Sequence, residues 1–358
     1  MSPRLASILR GALCCVLFLF GLCGGGRAIR ELLPFPEVAT VKAKVEHFAA
    51  RHDDYDTLFL GSSHIYFQVI PKIFDPLAAE EGLATHSFNA GVAGMRPPED
   101  AYLLDCLLRH PPQHLHWVFI ELGRMRTSVD GARAGTYREV YWHDGARLWI
   151  LLKRALYLEP DGKKSRGMRT IQNLSSQLSD FFDHFSLFLQ NETNLGRGSL
   201  FLARLTGTDP SPPPQPRDAL GADLNGWIPT GEPEVMTDHA REVFESAVAE
   251  RRIQKQRPDA GDPISQQALE NMIAKIEKLG AIPILVIPPT PYKSHFFPTA
   301  DRAGKSIILD FSDLSRFPEL YEVRNRIDVD HLNTAGAEAF TRLLVQTWAA
   351  EVKRRPQL

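Results

Sequence analysis

Two hydrophobic periods alternate along this chain. Short apolar runs fall at Thr57–Leu60, His86–Asn89, Trp117–Leu122 and Ala281–Pro289, with a last one in the segment SIILDFS. Continuous runs of this length are what strands buried on both faces require, and Pro288-Pro289 ends the fourth. Between them the pattern turns helical. Residues 27–50 form an amphipathic, partly helical connector, and 70–82 a short helix ending at Gly82. Pro97-Pro98-Glu99-Asp100 opens a helix through Arg109, its early prolines and acidic residues suiting a first turn. Residues 264–280 form an amphipathic helix capped by Gly280, and a final helix runs from Thr334 to about Val352 with Asn333 as N-cap. Strands alternating with helices predict βαβ units and a parallel sheet.

The alternation is interrupted over about 124–260, where helical stretches (RLWILLKRALYL, SQLSDFFDHFSLFL) and a Pro-rich loop at 209–220 predict an insertion packed over the sheet. Its Phe-rich part, Phe181 to Phe188, either receives an acyl chain or packs on the domain.

The N-terminus breaks from globular patterning. Arg4 and Arg10 precede the apolar run 12–23 and Gly24-Gly25-Gly26, the layout of an export signal or signal anchor over residues 1–29. Arg27 interrupts the glycines and no small-x-small cleavage site follows, which favours an uncleaved anchor over a cleaved signal. Positive-inside bias places residues 30–358 outside the cytoplasm. A formal net charge of −2 argues against a general nucleic-acid binder. Cys14, Cys15 and Cys23 lie in the apolar run, so Cys106 alone remains for the soluble part, and neither an internal disulfide nor a Cys-rich zinc site can form there. Cys106, in AYLLDCLL, reads as a core residue.

The chemistry concentrates at two places. Gly61-Ser62-Ser63 follows the first strand, and such a turn lifts a hydroxyl clear of a sheet edge. Asp328-Val329-Asp330-His331, near the other end, can supply a base and the carboxylate that orients it. His114-Leu115-His116 has no acidic or Cys partner and reads as a loop; Asn191-Glu192-Thr193 matches a glycosylation triplet by composition alone. No P-loop and no Gly-x-Gly-x-x-Gly after a strand is present.

GSSH after the first strand, NAGVAG after the second and DVDHLNTAGA before the last helix resemble blocks one, two and five of the SGNH (GDSL-type) hydrolases. The layout also looks like two membrane-anchored extracytoplasmic branches, the alginate O-acetyltransferases and the protein of lipoteichoic-acid D-alanylation. The resemblance implies a three-layer α/β/α sandwich with a five-stranded parallel sheet in flavodoxin-like order 2-1-3-4-5. It implies Ser63 as nucleophile, His331 as general base and Asp328 as its orienting carboxylate, with Asp330 the rival nearer in sequence. The backbone N–H groups of Ser63 and Gly91 would form the oxyanion hole, with Asn89 positioning that loop or satisfying a turn. The chain departs at block three, where Met125 stands in place of the family's Asn. Arg124 and Arg126 either bind a developing negative charge or an acidic glycan, or face solvent; His64 either lines the pocket or packs.

The implied function is acyl-ester hydrolysis or O-acyl transfer at a bacterial cell membrane, facing the periplasm or exterior. An acylated glycan or other ester would be the substrate, with an export or acyl-donor membrane protein as partner and neither metal nor diffusible cofactor. Met125 leaves a non-catalytic scaffold or glycan-binding component open, and the Phe-rich segment a small-lipid esterase.

Overall fold

The computed structural model of the chain describes residues 3–30, 32–33, 35–133, 135–157, 168–208, 216–230, 235–253, 261–292 and 306–355. In chain order the elements are α1 (Pro3–Arg30), α2 (Ala39–Arg51), β1 (Thr57–Leu60), α3 (Ser63–Tyr66), α4 (Pro71–Glu80), β2 (Ser87–Asn89), α5 (Glu99–Leu107) and β3 (Trp117–Glu121). There follow α6 (Tyr137–Val140), α7 (Gly145–Leu156), α8 (Met168–Thr193), α9 (Gly198–Thr206), α10 (Pro216–Leu220), α11 (Asp238–Ile253) and α12 (Pro263–Lys278). The chain closes with β4 (Ile282–Ile287), β5 (Ile307–Asp310) and α13 (Thr334–Lys353). It divides into two compact units, Ala39–Arg126 with Pro214–Leu358, and Met1–Val38 with Thr127–Pro213.

The first unit carries an all-parallel five-stranded sheet in the order β2-β1-β3-β4-β5, the order expected. Phe59, Phe119, Ile284, Val286, Ile307 and Leu309 point to one face, where Phe74 of α4, Phe244 of α11 and Trp348 of α13 complete a buried core. Trp348 is the hub there, edge-on to Trp117 and Phe119 and stacked on Phe74. The opposite face takes α2, α5 and α12, with Phe48 of α2 set 5.5 Å from Phe88 of β2. Helices on both faces make this a three-layer α/β/α sandwich.

Local signals act where the sequence placed them. Asn333 Oδ1 accepts from Gly336 N at the start of α13, and Asp262 caps α12 through Ile264 N and Ser265 N. Gly280, at φ +78°, takes the left-handed turn after α12. Two expectations shift. Residues 216–220 of the Pro-rich loop form α10, whereas 209–215 lie outside the described residues. The segment around α11, expected within the insertion, belongs to the sheet unit because Met236, Phe244 and Val248 fill its core.

The second unit joins α1 to α6–α9. Helix α1 continues through Gly24–Gly26, and its stretch Arg4–Arg30 is apolar and long enough to cross a membrane or act as a signal sequence. Twenty-seven residues extend about 40 Å at the helical rise, against roughly 30 Å of hydrocarbon. A buried pair, His143 Nε2 and His184 Nδ1 at 2.8 Å, ties the start of this helical set to α8. Asn191 of the glycosylation triplet is buried and donates to the carbonyls of Tyr141 and His143.

One buried cation braces the sheet edge beside the serine turn. Lys44 of α2 is fully buried, and its Nζ donates to the carbonyls of Asn89 (2.8 Å), Gly91 (2.6 Å) and Gly226 (2.7 Å). Burial pushes its pKa well below the usual lysine range; the three oxygens and the face of Tyr66, 4.0 Å away, favour the ammonium form. Replacing Lys44 by Met keeps the stem and leaves three buried acceptors unmatched. The expected loss is at least about 3 kcal/mol in a denaturant titration; a loss below about 1 kcal/mol would mean that the carbonyls find water.

Candidate active site

β1 ends at Leu60, and within three residues the backbone turns through Gly61 and Ser62 into the single-turn helix α3. Ser62 caps that turn, its Oγ accepting from His64 N. Ser63 is the first helical residue, so its N–H has no acceptor inside the helix. A Cβ on Gly61 would collide with Ile65 and the Glu121 side chain, so only glycine lets β1 and the end of β3 approach this closely.

The structure brings Ser63, His331 and Asp328 together. Ser63 Oγ lies 2.7 Å from His331 Nε2, and His331 Nδ1 lies 2.9 Å and 3.1 Å from the two carboxylate oxygens of Asp328. Asp328 Oδ1 also accepts the backbone N–H groups of Asp330 and His331, which winds 328–331 into a tight turn. Burial raises the Asp328 pKa, but the hydrogen bond and charge of His331 and these backbone donors outweigh it and hold the carboxyl below its usual range.

The loop rests on Arg326, which the sequence reading did not single out. Its fully buried guanidinium donates to the carbonyls of Leu320, Pro289 and Val329 and lies over the rings of Phe244 and Tyr321. Burial brings its pKa down to about 10. An antiparallel bridge from Arg326 to Leu332 closes the loop, so His331 projects from a short hairpin with a charged foot.

A second network lies beside the first. Glu121, at the end of β3, accepts from Ser62 N (2.5 Å) and Ser62 Oγ (2.9 Å), and its Oε1 is 3.0 Å from His64 Nδ1. The other ring nitrogen of His64 lies 3.4 Å from Asp330 Oδ2, and the His64 ring stacks on His331 with centroids 5.5 Å apart. Burial alone would lower the His64 pKa; the charges of Glu121 and Asp330 and the hydrogen bonds with them outweigh it and push it up to about 10. Burial likewise raises Asp330, and the hydrogen bond and charge of His64 more than reverse this. His64 is therefore an imidazolium at neutral pH that joins the serine turn, the β3 terminus and the base loop. Asp330, the rival orienting carboxylate, faces His64 instead of His331 Nδ1.

A cavity of about 490 Å³ opens over these residues, of a size that ordinary small-ligand sites occupy. Ser63, His64, His331, Thr290, Arg96 and Arg124 are among its lining. Asn89 positions its loop, as expected: it is fully buried, its amide donating to the carbonyls of Ile65 and Val69 while its oxygen accepts from Gly91 N, and it does not reach the cavity as a substrate-binding residue would. That bond also occupies the Gly91 N–H, the expected oxyanion donor; further along the loop, Ala93 and Gly94 line the cavity. The two block-three arginines separate. Arg124 lines the cavity, whereas Arg126 donates to the carbonyl of Gly94 and steadies that loop. Met125 lines a small neighbouring cleft. Among the described residues no group of three or more His, Cys, Asp or Glu side chains is placed to hold a metal ion.

No protein-family model matches this chain, and no curated protein matches it.

Because the folded pKa of His64 lies above its unfolded value of about 6.5, its ion pairs stabilise fully below that pH and lose their contribution as pH rises through about 10. Denaturant titrations of wild type and His64→Gln at pH 6, 8 and 10 are expected to show a gap that shrinks at each step. A gap independent of pH refutes the charged assignment.

Proposed function

We propose that this chain is a serine-dependent acyl-ester hydrolase or O-acyltransferase. The contact that carries the reading is Ser63 Oγ at 2.7 Å from His331 Nε2, with Asp328 behind the same ring. A serine hydroxyl is a poor nucleophile until a neighbour removes its proton during attack. In this reading Ser63 Oγ adds to the ester carbonyl as His331 Nε2 takes the hydroxyl proton. Asp328 fixes the tautomer that keeps Nε2 free and stabilises the imidazolium that forms. His331 returns the proton to the departing alcohol as the tetrahedral intermediate collapses, leaving an acyl group on Ser63. Water or a sugar hydroxyl, deprotonated by the same nitrogen, then takes the acyl group and restores the serine.

The resemblance to SGNH hydrolases supports this reading, and the anchored branches extend it to an acylated surface or exported polysaccharide as substrate. The apolar α1, with Arg4 and Arg10 at one end, suits a single-pass anchor with the sheet unit outside the cytoplasm. Arg27 and Arg30, at its other end, face Glu192. Arg124, on the cavity wall, suits a substrate with negative charge. A non-catalytic scaffold is the second reading, favoured by Met125 at the block-three position and by the occupied Gly91 N–H.

A fluorophosphonate probe separates the two. The full chain is expected to gain one covalent adduct on Ser63, lost in Ser63→Ala and kept in Ser62→Ala. Hydrolysis of an aryl acetate is expected to fall on the order of 10³-fold or more in Ser63→Ala and His331→Ala, and on the order of 10²–10⁴-fold in Asp328→Asn. Activity that survives Ser63→Ala removes Ser63 from the role; an unlabelled wild-type chain leaves the scaffold.

A further inference from the structure

Helix α9 buries none of its residues, although its sequence GSLFLARLT is mostly apolar. Leu202 and Leu205, one turn apart on one side, are 61% and 63% exposed, and Leu195 just before the helix is 68% exposed. A helix of nine residues is marginal in water by propensity alone and draws its stability from an apolar contact. Leu200, Phe201 and Ala203 are half-buried, but among the described residues nothing covers Leu202 and Leu205, so what receives this pair is not one of them.

The neighbouring bonds indicate which medium. Asn194, four residues before α9, donates from its Nδ2 to the carbonyl of Gly26 at 2.6 Å. Arg27 Nε lies 2.7 Å from Glu192, and Arg30 donates to the carbonyl of Asn191. A Cβ on Gly26 would collide with the backbone at Glu192 and Thr193, so the two helices touch backbone to backbone. The C-terminal end of α1 is thus fastened to the corner from which α9 departs. Where α1 crosses a bilayer, Gly26 and Arg27 mark the edge of its apolar stretch, at headgroup depth. The corner and α9 then lie at that depth. An exposed leucine pair flanking Arg204 suits a short helix lying in the plane of the headgroups.

We propose that α9, with Leu195, Leu202 and Leu205, is a membrane-interface foot inserted into the lipid surface beside α1. The proposal rests on the reading of α1 as a bilayer anchor. It makes the bilayer the occupant of this face and gives the helical unit a second attachment beside its anchor. Two attachments restrict rotation about the α1 axis, which a single helix permits.

The test uses the full chain in vesicles of phosphatidylethanolamine and phosphatidylglycerol containing a phospholipid with a diazirine near its headgroup. After illumination, lipid adducts are mapped by peptide mass spectrometry. Adducts are expected in α1 and in the peptide spanning 195–206. In Leu202→Glu with Leu205→Glu, the 195–206 adducts are expected to fall at least ten-fold while those in α1 persist. Adducts in α1 with none at 195–206 overturn the foot, whether water, a second copy or another protein covers that face. Adducts at 195–206 that persist in the double variant overturn it as well. Absence of adducts from α1 itself overturns the anchor reading beneath the proposal, and that outcome is distinct from the others.

Discussion

Ser63 Oγ and His331 Nε2 are separated by 268 positions in sequence and 2.7 Å in space. Neither residue sets that distance alone. The serine is fixed by a turn too tight for any side chain at Gly61, with Glu121 receiving both polar groups of Ser62. The imidazole is fixed by a hairpin whose foot is the buried guanidinium of Arg326. Backbone carbonyls satisfy that guanidinium, so its cost of burial is offset by hydrogen bonds and no partner carboxylate is needed. Placement of the serine–histidine pair is thus a property of two supports, each with its own polar anchor.

The His64 network adds a direct link between the supports. The His64 imidazolium lies flat against the His331 ring, and the two rings are held among the carboxylates of Glu121, Asp330 and Asp328. The cluster is therefore balanced only when all of its members are present, and single deletions should not act additively.

Most of the sheet was legible because parallel strands buried on both faces must be apolar throughout, and such runs stand out between turns. The strand order came from the resemblance and not from periodicity. Ser63, Asp328 and His331 were legible through the grammar of a turn after a strand and a short acidic-histidine block. Lys44 and Arg326 were not, since their partners are backbone carbonyls and a carbonyl leaves no mark in a sequence. Glu121 left one, a charge at the end of an otherwise apolar strand. The loop-positioning role of Asn89 was legible, but the engagement of the Gly91 N–H was not, because nothing in the sequence shows that the Asn89 side chain folds back onto that nitrogen. The insertion was read as longer than the helical unit because amphipathic α11 resembles its neighbours, and only packing shows that its apolar face fills the sheet core.

The separation of serine and histidine also has a consequence in time. A ribosome makes the apolar helix first, the hydroxyl soon after, and the imidazole only when more than nine-tenths of the sequence exists. Throughout that interval the nascent polypeptide displays an alcohol with no proton acceptor beside it. The serine and histidine can therefore meet only after the hairpin of residues 326–332 has been made, so the turn at Gly61 takes shape before its imidazole neighbour exists.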